Sequence, residues 1–308
     1  TPTMAMTTSN SISVNAVRRP FGGINMRRAS VGVVVPGLPV GPLELGSRGF
    51  VPPMGGEGTA MTHRLGERTW LTLGREDRLL PGSVVNDALA KKLAEIEAKE
   101  GRKLGGKARK QLKDDLIHEM LPKAFIKGSR TSASIDAKHG IVAVDASSKK
   151  SAEALVSELR HAMGSFPAVP VNAEVSVRAV MTGWLTGEPL PEGLTLGDEC
   201  ELKDPVDGGA IVKAQRQELT ADEITKHLET GKQVTKLALV LDDHVSFVLG
   251  EDLIVRKLKF LDGAVDQLEN TERDSLAAEL DARYALFSAE LHTLFGVLEK
   301  ALKLSRAE

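Results

Sequence analysis

The sequence predicts an α+β fold, with mixed or antiparallel sheets, packed helices and a projecting helical-hairpin finger. Three observations carry that expectation. Short apolar runs rich in β-branched residues, such as 140–145 and 234–241, recur between polar turns. Other segments place apolar residues at i, i+4 and i+7, the helical period. Two of these helical segments follow one another directly, separated only by Gly105-Gly106.

Taken in order, residues 1–43 contain no Asp or Glu, and Arg18, Arg19, Arg27 and Arg28 stand in a Ser, Thr, Val and Gly background with little periodicity. An Arg- and Ser-rich, acid-free segment resembles an organelle transit peptide; a disordered tail, or a segment read outside the usual frame, is the alternative. The loop at 50–56 follows from Pro52-Pro53, and a strand is expected at 69–73 before a polar turn at 75–78. Ser83 is the expected cap of a first helix carrying Leu89, Leu93 and Ile96 on one face. A second runs from about 108 to 121 with Leu112, Leu116 and Met120 aligned, until Pro122 stops it. Arms of this size extend roughly 22 to 30 Å at 1.5 Å per residue, a finger about as long as a DNA duplex is wide.

Beyond Pro122 a hairpin is expected from 132–136 and 140–145, then a helix over 149–163. Residues 175–180 read as a strand, 187–197 as a loop, and 208–217 as a strand. Thr220 and Glu223 form a capping-box pattern opening a short helix. A meander follows at 234–241, 245–249 and 254–260, and 271–274 caps a long helix whose Tyr284, Phe287, Leu291, Leu294, Phe295, Leu298 and Leu302 suit a core or a dimer seam. The domain reading is a divergent, disordered segment at 1–43, a central α+β domain from 44–80 and 123–180, the finger at 81–122, and a C-terminal α+β domain at 181–308.

Function is argued from charge. The chain has 308 residues and a formal net charge of only -2, yet residues 101–113 hold Arg102, Lys103, Lys107, Arg109, Lys110 and Lys113 with no acid among them. Such a cluster repels itself unless an anion is present, and a polyanion is the fitting partner. DNA is the leading candidate, and aromatics are only 4% of the chain, little material for the stacking platforms that single-strand binders use. Lys213 and Arg216 in the 208–217 strand are further candidate contacts.

Catalytic lures fail on their details. Residues 101–108 match a phosphate-loop pattern except that Ala108 replaces the magnesium-binding hydroxyl, and a helix precedes them where a strand is needed. His118-Glu119 begins a zinc-protease pattern whose second His is replaced by Pro122. His63, His118, His139, His161, His227, His244 and His292 are scattered without nucleophile or metal spacing, so no catalytic residue, metal or cofactor is expected. Cys200 is the only cysteine, which excludes an intrachain disulfide and fits a reducing compartment. No run approaches the ~18 apolar residues a spanning helix needs, so no membrane partner is expected.

Several short segments in order, 50–55, 79–81, 120–125 (Met-Leu-Pro-Lys-Ala-Phe), 207–209, 219–225 (Leu-Thr-Ala-Asp-Glu-Ile-Thr) and 234–239 (Val-Thr-Lys-Leu-Ala-Leu), resemble the RdgC family of recombination-associated proteins from about Pro39 to the C-terminus. The resemblance implies a ring-forming homodimer around duplex DNA, bound without marked sequence preference. It implies a cytoplasmic, nucleoid-associated protein that limits the access of RecA-type recombinase, and no enzyme. By the same resemblance Arg102, Arg216 and Gln217 touch DNA, while Phe125 supports a dimer contact or the root of the finger. The alternative is a protein-interaction scaffold using the basic finger against an acidic partner.

Overall fold

The computed structural model describes residues 11–15, 39–53, 60–146, 148–206, 209–261 and 276–305. It is α+β, with antiparallel pairing and, among the described residues, six helices. The chain divides into two compact units, one holding 52–71 and 131–308 together with 1–31, the other 32–51 and 72–130.

In the first unit the strands are β1 (Ser11–Asn15), β3 (Thr62–Leu65), the start of β4 (Arg68–Leu79), the end of β5 (Phe125–Asp136), β6 (Ile141–Asp145), β7 (Leu194–Lys203), β8 (Ile211–Gln215), β9 (Gln233–Leu241), β10 (Val245–Gly250) and β11 (Val255–Phe260). The order β5-β6-β1-β11-β10-β9-β7-β8 is antiparallel at each recorded pairing. Its helices are α3 (Lys149–Met163), α4 (Val177–Leu185), α5 (Asp222–Glu229) and α6 (Leu276–Leu302). Met181, Trp184 and Leu185 of α4 and Leu291, Leu294, Leu298 and Leu302 of α6 pack with Leu202, Leu237, Leu239, Phe247 and Leu249 in one apolar cluster. That cluster covers one face of the sheet. Gly197 permits the β7–β9 approach beside a register shift, since a Cβ there would come within 2.8 Å of the Ala238 Cβ.

In the second unit β2 (Gly46–Val51) pairs with Thr72–Asp77 of β4. The chain continues into α1 (Gly82–Glu100), α2 (Gly106–Met120) and a single 3-10 turn, Leu121–Lys123. Arg78 ties this unit together, its Nε donating to the Gly41 carbonyl at 3.2 Å and its Nη1 to the Leu121 carbonyl at 3.0 Å. Val85 is the only buried residue of α1, and α2 has none. Leu89, Leu93, Ile96, Leu112, Leu116 and Met120, the expected apolar stripes, are half-buried.

Several expectations need correction. Residues 1–43 were expected to lack regular structure, but Ser11–Asn15 pairs with both β6 and β11; its alternating Ile and Val suit a strand. The expected turn at 75–78 is strand, because β4 runs through to Leu79. Pro81, not Ser83, occupies the N-cap of α1, with no side-chain cap. The expected strand at 175–180 is helix: Ser176 accepts from the Ala179 N–H, and Val177, Met181, Trp184 and Leu185 recur at helical spacing. Thr220 does not cap α5; its hydroxyl donates to Glu218 Oε1 at 2.6 Å and Ala221 is the N-cap. The cap at 271–274, the arginines at 18–28 and Met54 to Gly56 lie outside the described residues.

Leu237 is fully buried at the centre of the larger core. Leu237→Ala is expected to cost about 2–5 kcal/mol of stability, read from the midpoint of denaturant unfolding at unchanged slope.

Candidate nucleic-acid interface

In β7 to β11 the pleat sends alternate residues to opposite faces. Cys200, Leu202, Ala214, Leu237, Leu249, Val255 and Leu258 enter the core. The cross-strand partners Glu201 and Lys213, Glu201 and Lys236, and Val248 and Arg256 then fall together on the other face. Two grooves of about 320 and 250 Å³ run over it.

A β-bulge enlarges this charged set. The β10–β11 register shifts between Ser246 and Val248, and opposite it Lys257 takes a left-handed φ of 52°. Such a backbone costs a lysine roughly 1–3 kcal/mol, and bulges re-aim side chains. Here Lys257 reaches Glu199, Nζ to Oε1 at 2.8 Å. Arg216, at φ 56°, turns the chain just after β8 and lines the larger groove with Lys257 and Lys259. Six cations, Lys213, Arg216, Lys236, Arg256, Lys257 and Lys259, thus stand with four carboxylates, Asp198, Glu199, Glu201 and Asp252.

The carboxylates hold part of this charge. Lys236 and Lys213 lie 3.0 and 3.3 Å from Glu201 Oε2, and Arg256 Nη1 donates to Asp252 Oδ1 at 2.9 Å. Burial pushes the Glu201 carboxyl up, but bonds from Lys236, Thr235 and Lys213 and the lysine charge outweigh it and hold it below its ordinary value. Asp252 behaves likewise, burial being overcome by Arg256. Arg216 and Lys259 are exposed, with no carboxylate partner among the described residues. Burial pushes the Cys200 thiol up to about 11, which leaves it protonated and unreactive at neutral pH.

Sequence reasoning found Lys213 and Arg216 here and placed Gln217 beside them; Gln217 is half-buried, its N–H donating to the Asp198 carbonyl at 3.4 Å. It missed Lys236, Arg256, Lys257 and Lys259. The signal was the alternation of Val255-Arg256 and Leu258-Lys259, legible once the buried face is known.

In the other unit, the six cations expected to lack acidic partners are partly neutralised from α1. Arg102 Nε lies 3.0 Å from Glu100 Oε2 and Lys103 Nζ 3.8 Å from Glu97 Oε1, while Lys113 Nζ donates to Asn86 Oδ1 at 3.1 Å. The acids sit on the preceding turns, outside the stretch first counted. Lys107, Arg109 and Lys110 are exposed, with no ion pair among the described residues. They occupy the start of α2, which has no acid in its first turn and no side-chain cap at Gly105. Positive charges there oppose the helix dipole, and an anion would relieve both. Phe125 opens β5 with its side chain 84% exposed.

The family model described as "Putative exonuclease, RdgC" matches residues 36–305. The chain belongs to the RdgC family. It is 66% identical over 271 residues to the recombination-associated protein RdgC of Xanthomonas axonopodis pv. citri, covering 88% of this chain and 90% of that one. The same name is carried by the Stenotrophomonas maltophilia relative, 61% identical over the same shares. The curated RdgC names do not indicate catalysis, whereas the description of the family model does. No described helix is long and apolar enough to cross a membrane.

Glu201 is the hub of the ion pairs on the sheet. Because its folded pKa lies below the model-peptide 4.5, its contribution is present above that value and lost as pH falls through the lowered one. Glu201→Gln is therefore expected to be less stable than wild type at neutral pH, with the gap closing as pH falls through that lowered value. Urea midpoints across pH 3–7 measure it.

Proposed function

We propose that the chain binds double-stranded DNA without sequence preference, as a ring-forming homodimer that limits the access of RecA-type recombinase. The observation that carries DNA binding is the open face of β7 to β11, where the pleat and one bulge align six cations over two grooves. Side chains of this kind meet phosphate oxygens and leave base edges unread. Arg216 and Lys259 are ready contacts, since neither must first release a carboxylate. Lys213, Lys236 and Lys257 exchange a carboxylate for a phosphate, and Gln217, next in the chain to Arg216, donates beside them. The α1–α2 pair is the proposed finger, with Lys107, Arg109 and Lys110 as its unpaired cations and Arg102, Lys103 and Lys113 as secondary ones.

The dimer is supported by exposed apolar groups in the unit of the finger. Phe125, Ile126 and Val84 are 84%, 49% and 45% exposed, and the helix pair buries little of its own seam. A contact with a second copy would cover them. The recombinase role, and a nucleoid-associated place in the cytoplasm, rest on the family name and the chemistry of duplex binding. We assign no catalysis, in keeping with the curated names of the relatives, which do not indicate it.

Binding to two unrelated duplexes, linear and circular, over a salt series tests this reading. Affinity is expected to fall steeply with salt and equally for both sequences. Arg216→Ala/Lys259→Ala should reduce the magnitude of the log–log slope by about 2. Absence of binding at low salt would sink it. Retention of full DNA affinity by Lys107→Glu/Lys110→Glu would leave the finger as a scaffold arm, and sedimentation as a monomer at micromolar concentration would remove the ring. Cleavage of the duplex with magnesium or manganese would restore the exonuclease reading.

A further inference from the structure

The histidines, scattered in sequence, are not all scattered in space. His139 lies in the turn between β5 and β6 and His292 on α6, yet their ring centroids are 4.0 Å apart, with planes tilted by 34°. Asp136, the last residue of β5, is beside them: its Oδ2 lies 2.8 Å from His139 Nδ1, and its Oδ1 accepts the His139 backbone N–H at 3.0 Å. One potential ligand atom from each of the three lies within 4.8 Å of the others. We propose that Asp136, His139 and His292 form a binding site for a divalent transition-metal ion of the zinc type, pinning α6 to the β5–β6 turn.

The separations suit that chemistry. Ligand atoms about a tetrahedral zinc, at roughly 2.0–2.2 Å from it, lie roughly 3.3–3.6 Å from one another. Closing from 4.8 Å takes a shift of about 1 Å, within the reach of side-chain torsions. Beside Asp136 and His292, but not lined by His139, a cavity of about 20 Å³ among Arg68, Ser134 and Ser288 has room for one water. His292 Nδ1 is buried with no hydrogen-bond partner, a lone pair or donor that the protein leaves unsatisfied.

Two of the donors, His292 and Asp136, are held in their ligating forms. Burial, and then the charge of His139, push the His292 pKa down, so the ring is a neutral base at pH 7. Burial raises the Asp136 pKa, but hydrogen bonds from His139 and Arg68 more than offset it, and the group is a carboxylate. Arg68 Nε, 3.4 Å from Asp136 Oδ2, is a competing cation. It disfavours magnesium and calcium, which depend on several oxygen ligands and their charge, more than an ion taken by two imidazole nitrogens. Three protein ligands leave a fourth position for water. The site lies in a single unit and does not depend on DNA binding.

The test uses the full chain without added histidines, stripped with chelator. Zinc titrated calorimetrically should bind at one equivalent per chain and raise the melting temperature, and cobalt(II) should develop a ligand-field absorption band that zinc abolishes. His292→Gln and His139→Gln should each weaken zinc binding at least about tenfold, the scale at which even outer-shell changes act. Both should also lose the zinc-dependent rise in melting temperature. Unchanged zinc affinity in His292→Gln would assign the ion to other histidines and overturn the site. So would a wild-type chain with neither a cobalt band nor a zinc-dependent melting shift, which decides the matter even if a variant fails to fold.

Discussion

One-sided burial of the antiparallel sheet is the constraint on which the rest depends. The face under α4 and α6 is closed by residues such as Leu202, Leu237 and Leu249, each fully buried. Burying a side chain of that size contributes about 1.5–3 kcal/mol, whereas an exposed ion pair contributes about 0–1 kcal/mol. The apolar face therefore sets the register. A slip of one residue would drive Lys213 and Lys236 inward and their buried neighbours Ala214 and Leu237 into water, so the lining-up of cations on the other face follows from the core.

The legible parts of the fold were those in which local signal and tertiary packing agree. Lys149–Met163 has a Ser148 cap, a helical stripe and a left-handed Gly164 at its end, and it forms over the residues its pattern gives. The β9–β10–β11 meander was equally clear because its turns are short and polar. Residues 175–180 misled because Val175 and Val177 have strand propensity, while the helix is decided by a cap and by packing of Met181 and Trp184 against the sheet. The Thr220 pattern misled for a different reason: its hydroxyl turns away to donate to Glu218 instead of accepting a backbone N–H of the helix, whose N-cap is Ala221.

The candidate site was legible only where charge is contiguous. Residues 101–113 announce themselves, because neighbours in sequence are neighbours on the surface. Lys213, Lys236, Arg256, Lys257 and Lys259 come from three strands, and single cations within apolar strands read as ordinary outward-facing residues. Their convergence is a property of register and of the Lys257 bulge, neither of which composition reveals. His139 and His292 make the same point over 152 intervening positions: a spacing rule catches ligands on one element and is blind to those brought together by a sheet and a distant helix.

Counting cations also overstates what a surface offers a polyanion. A lysine bound to a carboxylate is already neutralised, and when it turns to a phosphate it leaves that carboxylate facing the duplex. Glu201, shared by Lys213 and Lys236, would be exposed in this way, and so would Glu199 behind Lys257. The net gain in attraction then comes chiefly from groups with no partner to abandon, Arg216 and Lys259 on the sheet and Lys107, Arg109 and Lys110 at the start of α2. The carboxylates have a compensating effect: they limit self-repulsion among the cations in the absence of DNA, so the face can be assembled without destabilising the sheet that presents it. A surface built in this manner favours weak, salt-sensitive and sequence-indifferent contact, and persistence on DNA would have to come from enclosure rather than from the strength of any single contact.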